Sequence, residues 1–119
     1  MPLCGVSWKI IEYMISSRDV LIQTDKMDAA ANFYENVLGF KVFKRDEHLI
    51  GLETGSFRLF IDNGEPLGPV FEFITPQFEE TKKKLIKAGC RVEEEDPKIP
   101  RCYMRDPFGI IFNLAEEPH

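Results

Sequence analysis

The feature that most constrains this chain is an internal echo. Val20-Leu21-Ile22-Gln23 reads as a strand, a helical segment follows, and Leu38-Gly39-Phe40-Lys41-Val42 leads into a second strand. Val70-Phe71-Glu72-Phe73, a helical segment and Ala88-Gly89-Cys90-Arg91-Val92 repeat that course later in the chain. Gly55-Ser56-Phe57-Arg58-Leu59-Phe60 and Gly109-Ile110-Ile111-Phe112-Asn113-Leu114 then close the two halves with an apolar strand. Each half therefore reads as β-α-β-β-β. Such a half leaves one sheet face uncovered by its helix. Two of them are expected to form an α+β fold with a curved eight-stranded mixed sheet, helices outside and a concave cleft inside.

Size keeps the duplication within one domain, because 119 residues suffice for one core and not for two independent ones. The expected organisation is an extension over residues 1–17 and a single domain over 18–119, with modules at 18–63 and 69–115. Within the extension, Trp8, Ile11 and Ile15 have the spacing of one short amphipathic helix. A net charge of -5 argues against nucleic acid, whose phosphates call for a basic face. No apolar run is long enough for a membrane span and no signal-peptide pattern opens the chain, so the expected location is cytoplasmic. Cys4, Cys90 and Cys102 are odd in number and lack Cys-x-x-Cys spacing, which disfavours a disulfide framework and a zinc cage alike.

Asp25 is the expected N-cap of the first helix. Met27, Ala30, Ala31, Tyr34, Val37 and Leu38 supply its apolar stripe, and Gly39 is its stop. Strands are expected at 40–45, 48–53 and 57–62, then a turn-rich connection over 63–69. Thr75-Pro76 reads as the start of the second helix, with Phe78, Leu85 and Ile86 inward and Lys82, Lys83, Lys84 and Lys87 as the solvated face. Strands follow at 90–94, 101–105 and 110–115, the first two joined by an acidic rim over 93–100.

Two of these segments carry a family resemblance. Phe33-Tyr34-Glu35-Asn36-Val37-Leu38-Gly39-Phe40 is similar to the "FYxxvLGF" signature of the vicinal oxygen chelate superfamily, and Arg105-Asp106-Pro107-Phe108-Gly109 is similar to its "rDPxG" signature. Glyoxalase I, extradiol dioxygenases and bleomycin-resistance proteins belong to that group. The resemblance spans Arg18 to Leu114 and implies the duplicated fold. It also implies a divalent metal held by His, Glu or Gln on four strands. In this chain the corresponding positions fall on Asp19 (or, with a one-residue slip, Arg18), Val70, Asn113, and Leu59 or Phe60. Only Asp19 is a good ligand, and one carboxylate with a weak amide falls short of the three or so protein ligands a catalytic ion needs. No metal and no other cofactor are therefore expected.

Strand alternation puts Asp19, Leu21 and Gln23 on one face, and pairs Val70 with Glu72 between Phe71 and Phe73. Asp19, Gln23, Arg58, Phe60, Glu72, Tyr103 and Asn113 are the expected ligand-binding residues, converging from strands far apart in sequence. Glu72 is the candidate catalytic group. An inward carboxylate is costly unless paired, so Glu72 either pairs with Arg58 or is kept for a ligand. Asn113 divides between a core hydrogen bond and a ligand contact, and Arg105 with Asp106 is expected to stabilise a turn. His48 and His119 lie beside no Ser or Cys in a recognisable motif, which leaves no nucleophile constellation. Two functions follow. One is a metal-free binding protein for a small molecule, resembling bleomycin-resistance proteins. The other is a glyoxalase-like lyase, isomerase or dioxygenase with a displaced metal site or acid–base chemistry at Glu72. A homodimer is expected in either case, as in relatives.

Overall fold

The computed structural model describes residues 14–96 and 101–117. Eight strands join in one mixed sheet: β1 Ile15–Thr24, β2 Lys41–Arg45, β3 Leu49–Glu53, β4 Arg58–Asn63, β5 Leu67–Thr75, β6 Arg91–Asp96, β7 Arg101–Arg105 and β8 Ile111–Glu116. Their order is β2-β3-β4-β1-β5-β8-β7-β6, so each half contributes four neighbouring strands in mirrored order. β1 pairs with β4 in parallel, while β2–β3, β3–β4, β6–β7 and β7–β8 are antiparallel. The expected fold is the observed one. The helices are α1, Met27–Asn32, and α2, Phe78–Lys87.

The chain divides into two compact units, Arg18–Phe71 and one that includes Glu72 onward. In the first, Met27 and Ala31 of α1 pack on Ile50, Leu52, Leu59 and Ile61, with Ile22, Tyr34, Phe40 and Val42 around them. In the second, Phe78 of α2 packs on Cys90, Cys102, Met104, Phe112 and Leu114, with Phe73 and Leu85 beside them. Both cores lie on the helix-bearing face. Alternation then turns residues 58, 60 and 62 of β4, and 111, 113 and 115 of β8, to the opposite, helix-free face of their own unit.

Several local expectations are corrected. Ile15, expected in an N-terminal helix with Trp8 and Ile11, lies in β1, and Trp8 and Ile11 lie outside the described residues. The N-cap position of α1 is Lys26, without a side-chain capping bond, and not Asp25; Thr24 Oγ1 accepts the Lys26 N–H at 3.2 Å just before the helix. From Phe33 to Val37 the helix widens into a π-helical turn. That shifts the apolar stripe, so Val37 and Leu38 are exposed at 68% and 49%. Thr75 Oγ1 accepts the Gln77 N–H at 3.2 Å, which starts α2 at Phe78, two residues after Pro76.

Lys82 is not on a solvated face. Its Nζ bonds Glu95 at 2.6 Å and lies 5.5 Å from the centre of the Phe78 ring, and the bond to Glu95 raises its pKa. Cys90 and Cys102 are buried free thiols, as expected, and burial, reinforced by nearby Glu95, pushes the Cys102 pKa up to about 11. A thiol so far from its thiolate form is structural rather than nucleophilic. No helix among the described residues is long and apolar enough to cross a membrane.

Candidate functional site

The two signature segments, the π-helical end of the first helix and the turn before β8, are each held by local hydrogen bonds. In the first, the Leu38 N–H reaches the Phe33 carbonyl at 3.3 Å and the Phe40 N–H reaches that of Tyr34 at 3.1 Å, while the Tyr34 and Phe40 rings stack 6.4 Å apart. In the second, Asp106 Oδ1 accepts the N–H groups of Phe108 and Ile110 at 2.8 and 2.9 Å. Gly39 and Gly109 have φ of +81° and +89°, which side-chain-bearing residues rarely adopt. Arg105 does brace the second turn, through Nη1 to the Gly109 carbonyl at 2.7 Å, with Glu93 rather than Asp106 as its ionic partner at 3.0 Å.

On the helix-free face of the first unit, the parallel register sets Asp19 beside Arg58, Leu21 beside Phe60 and Gln23 beside Asp62. Arg58 donates from Nε and Nη2 to Asp19 Oδ1, both at 2.7 Å. Its guanidinium carbon lies 5.9 Å from the Phe43 ring centre and 5.7 Å from that of Phe60, and the two rings meet edge to face at 5.7 Å. The cation is thus held by one carboxylate and two π faces. Gln23 is committed elsewhere: its Nε2 donates to the Glu65 carbonyl at 3.0 Å, anchoring the loop after β4.

In the second unit, Asn113 of β8 stands opposite Tyr103 of β7. Asn113 is 7% exposed. Its Nδ2 donates to Glu72 Oε2 at 3.1 Å, and Arg101 Nη2 lies 3.7 Å from the same oxygen. Asn113 Oδ1 is buried and has no hydrogen-bond partner. The expected Arg58–Glu72 pair is therefore replaced by two arrangements, each within its own unit: Arg58 with Asp19, and Glu72 with Asn113 and Arg101.

Reading the sequence alone missed Phe43, Glu93 and Arg101. Phe43 and Glu93 are the extra residues of two β-bulges, one in β2 between Val42 and Lys44, one in β6 between Val92 and Glu94. Each lies four residues after the glycine that ends its helix, Gly39 or Gly89, so the duplication itself carried the signal. A bulge re-aims the extra side chain. Phe43 lands on Phe60. Glu93 lands on Arg91 and Arg105, whose hydrogen bonds hold its carboxyl below the ordinary glutamate range. His48 is exposed in the β2–β3 turn, its N–H bonded to Asp46 at 2.8 Å.

The chain belongs to the Glyoxalase/Bleomycin resistance protein/Dioxygenase superfamily, whose family model matches residues 17–114. Among solved structures it is similar to a hypothetical protein from Bacillus halodurans, with a TM-score of 0.65 and 12% identity over 89% of this chain and 96% of that one. It is also similar to the homoprotocatechuate 2,3-dioxygenase of Brevibacterium fuscum in complex with 3,4-dihydroxyphenylacetate, with a TM-score of 0.65 and 22% identity over 87% of this chain. The match spans 37% of the dioxygenase chain. At these identities the likeness is one of fold. No curated protein matches the sequence.

The fold family implies a divalent metal, and the side chains at the corresponding positions do not fit one. Val70 and Leu59 are buried and apolar, and Phe60 belongs to the aromatic cluster. Asp19 is held by Arg58, and the Asn113 amide nitrogen is held by Glu72. Among the described residues no three His, Cys, Asp or Glu side chains gather where an ion could be held. Hard and borderline divalent ions need several oxygen or imidazole donors around one point, and this donor set offers too few.

Proposed function

We propose that this chain binds a small organic molecule on the helix-free face of its sheet without a divalent metal. The observation that carries this reading is the chemistry at the four positions a metal would need, where hydrophobic residues, a carboxylate held by Arg58 and an amide held by Glu72 stand in place of ligands. On the first unit Arg58, Phe43 and Phe60 offer an aromatic and cationic wall, and on the second Glu72 with Asn113 offers hydrogen-bond acceptors. Glu72 enters as a holding group.

Elemental analysis of protein purified without chelator is expected to find well under one divalent ion per chain, and EDTA to leave the melting temperature unchanged. Stoichiometric zinc, nickel, iron or manganese would overturn the reading.

The proposal extends to assembly as a homodimer. Among the described residues β2 and β6 are the outer strands of the sheet, and Phe33, Val37 and Leu38 are exposed at the end of the first helix. Light scattering at micromolar concentration is expected to give twice the 13.8 kDa mass of one chain, and a monomer mass would refute the pairing.

A further inference from the structure

We propose that Asn113 and Glu72 form an acceptor pair for an uncharged ligand that presents N–H donors from one edge, as a primary amide does. The inference rests on the small-molecule reading above and names the chemistry that reading leaves open.

It starts from a polar residue in an apolar strand. Asn113 stands between Phe112 and Leu114, both buried, and is itself 7% exposed. Its orientation is fixed by the carboxylate: Nδ2 donates to Glu72 Oε2 at 3.1 Å, which leaves Oδ1 as the end without a donor. A buried acceptor with no partner destabilises the fold, a penalty that leucine at this position would remove. A donor arriving from outside the chain removes it too.

Glu72 supplies the second acceptor. Among the described residues its two polar contacts, with Asn113 Nδ2 and Arg101 Nη2, gather on Oε2. Oε1 therefore remains for a ligand.

Charge selects among donors. The Glu72 carboxylate already has a cation 3.7 Å away in Arg101, so a neutral donor adds hydrogen bonds without competing for that charge. Arg101 is 51% exposed and beyond hydrogen-bond distance, so its side chain is free to move aside as a ligand enters. Tyr103, across from Asn113 on β7 and half-buried, offers its ring to a flat apolar body.

Benzamide is the probe, with N,N-dimethylbenzamide as a control of similar shape that has no N–H. Titrated into the isotope-labelled full chain, benzamide is expected to shift the backbone amide signals of Glu72, Tyr103 and Asn113, and the dimethyl compound to leave them in place. Asn113→Leu is expected to melt no lower than the parent and to weaken benzamide roughly tenfold, the scale of one lost hydrogen bond. Glu72→Gln, which keeps the side chain's size, is the second variant should Asn113→Leu misfold, and it should weaken benzamide as well. Equal binding of the two compounds, no shifts at millimolar benzamide, shifts confined to other strands, or unchanged affinity in a folded variant would each overturn the proposal. A metal-free protein that ignores benzamide defeats only this inference, whereas bound stoichiometric metal defeats the reading beneath it.

Discussion

Replacing Phe78 with alanine is expected to destabilise the chain by about 3–5 kcal/mol in a urea melt. Phe78 is 2% exposed and sits at the centre of the second unit's core, touching the Cys90, Cys102, Met104, Phe112 and Leu114 cluster. The loss has two physical parts, the transfer free energy of the ring and the cavity left when close-packed neighbours cannot collapse into its place. Two further contacts weaken with it. The Lys82 ammonium loses the aromatic face 5.5 Å away, and the first turn of α2, whose Phe78 N–H reaches Glu116 Oε1 at 3.3 Å, loses the side chain that anchors it to the sheet. Phe78→Leu keeps most of the volume and should cost far less. An alanine variant within about 1 kcal/mol of the parent would show that this core is loosely packed and that α2 is held by other means.

What the sequence discloses about the fold is its period, and what it hides is where the period breaks. The order of strands and helices follows from apolar segments that recur at matching distances from Gly39 and Gly89, and the observed sheet has the mirrored four-plus-four order that such a duplication demands. The breaks are local. Alternation assumes one residue per side per step, and the bulges at Phe43 and Glu93 add a residue that an even count cannot register. Helical spacing assumes 3.6 residues per turn, and the wider turn at Phe33–Val37 carries Val37 and Leu38 out of the stripe they seemed to belong to. Lys82 shows a third limit: its run of neighbouring lysines looks uniformly solvated, yet Glu95, thirteen residues away, draws this one side chain down to 16% exposure.

Strand alternation and the family resemblance single out Asp19, Arg58, Glu72 and Asn113 but not their partners, and each makes a polar contact with another side chain of its unit. Which contact forms depends on register across strands. Asp19 meets Arg58 because β1 and β4 run parallel with those two residues level, a pairing that no local pattern in either segment encodes. Arg101 escaped notice for the same reason. Only the long-range closeness of β5 and β7 residues brings its guanidinium to Glu72.

Gly51→Val is expected to cost about 1–3 kcal/mol and to dislodge Phe43 from Phe60. Gly51 lies between Ile50 and Leu52, whose side chains fill the first unit's core, so alternation aims any side chain at position 51 toward the helix-free face. That space is taken. A Cβ there would stand 2.7 Å from Phe43 Cζ and 3.0 Å from Phe60 Cε1, closer than carbon atoms can pack. Valine must therefore push the Phe43 ring away, and with it one of the two π faces beside Arg58. Because the tightest clash is with the tip of the Phe43 ring, a second substitution there should relieve most of it. In a Phe43→Ala background the added cost of Gly51→Val is expected to shrink by more than 1 kcal/mol, a coupling that a double-mutant cycle of thermal melts would read directly. If the two changes instead add without coupling, the cost of a side chain at position 51 lies in the β3 backbone, and the glycine is not what lets Phe43 lie across the sheet.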